Sequence, residues 1–74
     1  MIIKSGIVED IFKNPGPWHY AVINDYYINI FEVVDWCLDS FGIDSFYNWC
    51  VSADRTAFFF KNHDDFIMFV LRWS

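Results

Sequence analysis

The chain has 74 residues, a formal net charge of −5 and a pI near 4.5; hydrophobic residues make up 55% and aromatic residues 23% of it. That length sets one domain, 1–74, with a core that supplies no more than about 3–5 kcal/mol of net stability. Five basic residues scattered through an acidic chain form no phosphate-binding stripe, which argues against direct nucleic-acid binding.

Ile2 to Phe12 interleaves Ile3, Ile7 and Ile11 with Lys4, Ser5 and Glu9, a pattern for an extended segment with a break near Gly6. Asn14-Pro15-Gly16-Pro17 follows, a dense set of chain breakers read as a turn or hairpin loop. Trp18 to Ile23 resumes as a strand, with Trp18, Tyr20 and Val22 on one face and His19, Ala21 and Ile23 on the other.

Asn29 and Glu32 form an N-x-x-E capping box ahead of an apolar run. Ile30, Val34, Cys37 and Phe41 then share a helical stripe widened by Val33 and Leu38. Asp35 and Asp39 lie on the opposite, wet side, and Gly42 is a left-handed terminator. Phe46 to Val51 reads as a strand, with Phe46, Asn48 and Cys50 opposing Tyr47, Trp49 and Val51. Ser52 to Arg55 is turn-like, and a strand over Phe58, Phe59 and Phe60 pairs back as a hairpin. Phe58 and Phe60 share a face, the one expected to meet the core.

Asn62 reads as the N-cap of a last helix, with Asp64 and Asp65 at the positive end of its dipole and Arg72 in its final turn. Phe66, Phe69, Val70 and Trp73 recur at spacings of three and four. The order is thus ββαββα. Two amphipathic helices must each bury a stripe, so the expected architecture is an α+β two-layer sandwich, an antiparallel sheet with both helices on one face. Four tryptophans, four tyrosines and nine phenylalanines exceed what so small a core hides. The uncovered sheet face is therefore the expected interaction surface, carrying Trp18, Tyr20, Trp49 and Phe59, with Tyr26 and Tyr27 nearby.

Catalytic and metal chemistry find little support. Cys37, Cys50, His19 and His63 are too dispersed in sequence for a zinc site. Capping and the helix dipole account for His63-Asp64-Asp65, and the three glycines are isolated, so no phosphate loop is formed. Both thiols are read as small buried hydrophobes. No cofactor, catalytic residue or metal is expected. The opening MIIKSGIVED lacks the pattern of a secretion signal, and no apolar run is long enough to span a bilayer.

A helix carrying Asp35-Trp36-Cys37-Leu38 and ending Phe41-Gly42 is joined here to the ending F-F-K-N-x-x-D-F-x-x-F-x-L-R-W. Together these resemble small tailed-bacteriophage proteins, including those of cyanophages, that end F-x-F-K-[DN]-x-x-D-A-x-x-F-x-L-R-W. The likeness covers Trp18 to Trp73 and departs at Phe66, where a large ring replaces a small residue. It implies a phage product made in the host bacterial cytoplasm and carries over no functional residue. The reading that follows is a non-enzymatic protein that binds and inhibits or redirects a host macromolecule, expected to be a host bacterial protein, through an aromatic, acidic surface. A minor virion component and a small-ligand or nucleotide sponge are the alternatives, and a homodimer is compatible with each.

Overall fold

The structure is a computed structural model and describes residues 2–11, 14–23, 29–42 and 48–73. Six elements occur in the order β1 (Ile2–Ile11), β2 (Asn14–Ile23), α1 (Ile30–Phe41), β3 (Trp49–Val51), β4 (Ala57–Phe60) and α2 (His63–Trp73). The strands form one sheet of order β1-β2-β4-β3, antiparallel at every pairing. This is the expected ββαββα domain. The last strand lies inside the sheet between the two hairpins' other members, and α2 folds back over it.

Directly opposed residues of a sheet share a face, so the register sorts every side chain. One row runs Ile7, His19, Phe60, Trp49 and the next Ser5, Ala21, Phe58, Val51; their members on β2, β4 and β3 face the helices, while Ile7 and Ser5 on β1 are exposed. The opposite face carries the row Gly6, Tyr20, Phe59, Cys50. Phe58 and Phe60 are buried on the helix side, as their alternation with Phe59 predicts. They meet Ala21, Ile23 and Trp49 from the sheet, Val33 and Cys37 from α1, and Phe69 and Trp73 from α2 in one cluster.

Rings dominate that cluster. Phe69 stands 5.1 Å from Phe58 and 5.0 Å from Phe60, both tilted. Phe41 meets Phe60 edge-on at 5.4 Å. Trp36 joins the helices, at 6.1 Å from Trp73 and 6.3 Å from Phe69. Offset and edge contacts at these distances are the arrangements the ring quadrupole favours. Trp36 thereby takes the packing role that the sequence stripe gave to Leu38, which is exposed. The buried stripe of α1 is thus narrower than its periodicity predicts, on the side away from α2.

Both helices begin as their caps require. The Asn29 side chain accepts from the Phe31 amide at 3.0 Å, and the Asn62 side chain from the Asp64 amide at 2.9 Å. Gly42 ends α1 and donates its amide to the Leu38 carbonyl at 3.0 Å. Its φ of +86° and ψ of −164° lie outside the left-handed helical region expected for a terminator. That conformation is almost confined to glycine, so the requirement for glycine is stricter than the sequence implies.

Three other expectations change. First, β1 runs through Gly6 without a break; Tyr20 lies across it, and a Cβ at Gly6 would meet the Tyr20 ring at 3.0 Å. The irregularities fall instead between Ile2 and Lys4 and between Val8 and Asp10. Second, Asn14-Pro15-Gly16-Pro17 is the start of β2 and not a turn. Paired β4 reaches only as far as His19, so the first residues of β2 have no strand on that side, and proline's missing N–H costs no ladder bond there. Gly16 is where two backbones meet: a Cβ would lie 1.8 Å from the Glu9 carbonyl oxygen. Lys61 Nζ donates to the Pro15 carbonyl oxygen at 2.5 Å and so fastens this extension to the end of β4. Third, β3 is only Trp49–Val51, with Asn48 in a bend; Phe46 and Tyr47 lie outside the described residues, as does Phe12.

The Ser52 to Arg55 turn is as expected. The Asp54 carboxylate accepts from Ser52 Oγ at 2.6 Å, Thr56 Oγ1 at 2.8 Å and the Thr56 amide at 3.1 Å. These bonds, that from Ser52 first, hold its pKa below the usual carboxylate range. Arg55 takes a φ of +60° to close the hairpin.

Candidate interaction surface

Of the six residues expected on the interaction surface, the four that are described, Trp18, Tyr20, Trp49 and Phe59, do not form one exposed platform. Trp49 is buried on the helix side of the sheet, where its indole N–H donates to the Gly42 carbonyl at 2.9 Å and ties β3 to the end of α1. Pairing of Trp49 with Phe60 sets this orientation, and register is what alternation alone cannot supply. Trp18 lies on the expected face but is buried, with Lys61 Nζ 5.4 Å from its ring. Its indole N–H has no hydrogen-bond partner among the described residues. Tyr20 and Phe59 do share the far face as half-buried rings 6.4 Å apart. Tyr26 and Tyr27 lie outside the described residues. Among the described residues, one cross-strand pair of half-buried rings, Tyr20 and Phe59, remains on that face.

Exposed apolar surface lies mainly elsewhere, on the helices. In α1, Phe31 is 60% exposed and Leu38 41%. They stand seven residues apart, two turns along the same line of the helix. Asp35 falls between them, with Glu32 and Asp39 alongside, all three exposed. The last turn holds no basic residue to offset them. Arg55 reaches from the β3–β4 turn to place its guanidinium 5.3 Å from the Phe31 ring, which fixes one end of the strip. Trp36 faces α2, so a 100° advance per residue puts Phe31 and Leu38 on the flank away from it. Sequence periodicity had assigned Leu38 to the core; the unmatched signal was the i, i+7 spacing of Phe31 and Leu38 around Asp35.

In α2, Ile67, Met68 and Leu71 are 40%, 49% and 77% exposed. They lie opposite buried Phe69 and Trp73. Asp64 begins this outer face and Arg72 ends it, the latter with its guanidinium 4.2 Å from the Trp73 ring.

Few titratable groups come together among the described residues. His19 and His63, far apart in sequence, are brought to 4.9 Å between ring centroids, and Phe66 stacks on His19 at 5.3 Å. The large ring at Phe66 therefore fills the join between the start of α2 and β2. No group of three histidine, cysteine or acidic side chains suited to a metal ion occurs among the described residues. Burial pushes the Cys37 thiol up to about 12, so it stays protonated at neutral pH. Burial, then neighbouring Asp64, raises Asp65. No helix among the described residues is long and apolar enough to cross a membrane. Protein-family models, curated proteins and solved structures contain no match to this chain.

Proposed function

We propose that this chain is a small non-enzymatic phage protein that binds a host bacterial protein and inhibits or redirects it. The observation that carries this reading is the outer flank of α1, where Asp35 falls between exposed Phe31 and Leu38, with exposed Glu32 and Asp39 alongside. Two apolar anchors two turns apart on one helix are the means by which helices dock into grooves. Carboxylates around them select a basic groove and speed encounter with it. The net charge of −5 adds to that steering. The phage origin rests on the resemblance of the α1 residues and of the closing string.

The test is affinity purification from bacterial lysate with the wild-type chain and the double variant Phe31→Ala/Leu38→Ala as baits. The wild type should retain a stoichiometric basic protein, released as salt rises, and the double variant should lose it. Loss of two central apolar anchors costs about 2–4 kcal/mol in such contacts. Equal capture by both baits, or no capture by the wild type across several hosts, would overturn the reading.

A further inference from the structure

A helix that is apolar on all sides is ordinarily covered on all sides. α2 approaches that condition, since Phe66, Phe69, Val70 and Trp73 turn inward while Ile67, Met68 and Leu71 stand out toward solvent. The outer face also has a charge order. Its first turn holds exposed Asp64 beside half-buried Asp65, and its last turn holds exposed Arg72. An apolar middle between an acidic start and a basic end is self-complementary in one arrangement only, the antiparallel one.

We infer that α2 docks against α2 of a second copy of this chain, antiparallel and about a two-fold axis near Met68. Counting four residues either way from Met68 reaches Asp64 and Arg72. The axis therefore sets Arg72 of each copy at the height of Asp64 of the other. Met68 packs on Met68 at the axis, with Ile67 and Leu71 on either side, and a thioether suits such a self-contact because it adapts its shape. The antiparallel order also opposes the two helix dipoles favourably. Stacking on Trp73 already holds the Arg72 guanidinium at the end of the face, so less freedom is lost when it meets a carboxylate. The outer flank of α1 lies away from α2 and stays open in this dimer.

An isologous contact of this kind is the common form of homodimer. Eleven residues of helix span roughly 16 Å. A stable interface buries about 800 Å² per partner, more than one helix of that length covers. Self-association is thus reversible and set by concentration.

Sedimentation equilibrium from about 10 µM to about 1 mM reads it directly. The apparent mass should climb from 8.9 kDa toward twice that value. Leu71→Lys should weaken association at least about tenfold, since each dimer loses two buried leucines. Asp64→Arg or Arg72→Asp alone should weaken it about two- to five-fold, the range of exposed ion pairs. The double reversal Asp64→Arg/Arg72→Asp should restore it, which no merely structural role of either residue would do. Circular dichroism checks that each variant is folded, and Met68→Gln, milder than Leu71→Lys, replaces any that is not. A monomer at all concentrations overturns the inference and assigns the face to another chain. Undiminished association of folded Leu71→Lys or Met68→Gln overturns it too, as does a double reversal no tighter than the single ones. Because the α1 flank is not part of this contact, failure here leaves the host-protein reading standing, and the converse.

Discussion

The two helices rest on the same floor and face the outside differently. α1 and α2 each bury a stripe on Phe58 and Phe60, each begins at an asparagine cap, and they exchange contacts through Trp36. Outwardly, α1 offers two apolar side chains set among three carboxylates, whereas α2 offers three apolar side chains between an acid and an arginine. The buried halves are interchangeable in kind and answer to folding. The outer halves are not, and on the proposals above the first would meet a basic partner and the second a copy of itself.

The largest expected effect tests the shared floor. Phe58→Ala or Phe69→Ala should each cost about 3–5 kcal/mol, because a ring buried among rings leaves a cavity its neighbours cannot fill. That equals or exceeds the stability a chain of this length is expected to have, so both helices should melt together. Far-ultraviolet circular dichroism in urea checks it. One helix surviving without the other would break the comparison at its base.

Of smaller size are the caps. Asn29→Ala and Asn62→Ala should each cost about 1 kcal/mol, since each removes the acceptor for one amide of the first helical turn. Thermal unfolding of the two variants should give similar losses. A much larger loss at Asn62 would mean that α2 carries more of the fold than α1 does.

Much of this architecture was legible in the sequence because local rules agreed with the global one. Asn29, Asn62, the Phe58/Phe60 alternation and the stripes through Val33, Cys37, Phe69 and Trp73 each state a backbone preference and a burial preference at once. Where the reading failed, the deciding contact was distant. Pro15 and Pro17 can be strand residues because the pairing of β2 with β4 ends at His19, and nothing near the prolines says so. Trp49 turns inward because it pairs with Phe60, eleven residues on. Leu38 stays out because it lies on the flank of α1 turned away from α2, which Trp36 faces. Among the described residues six rings are buried, five are half-buried and only Phe31 is exposed, so the exposed apolar side chains there are mostly aliphatic, Leu38, Ile67, Met68 and Leu71 on the helices and Ile3 and Ile7 on β1.

The difference between the two outer faces can be read residue by residue in one concentration series of amide nitrogen–proton NMR spectra. As the protein is concentrated, the signals of Ile67, Met68 and Leu71 should move together along one binding curve while those of Phe31, Asp35 and Leu38 stay in place. Movement centred on Phe31 and Leu38 with α2 unchanged would contradict the account, since the face assigned to a stranger would then be the one that meets its own copy.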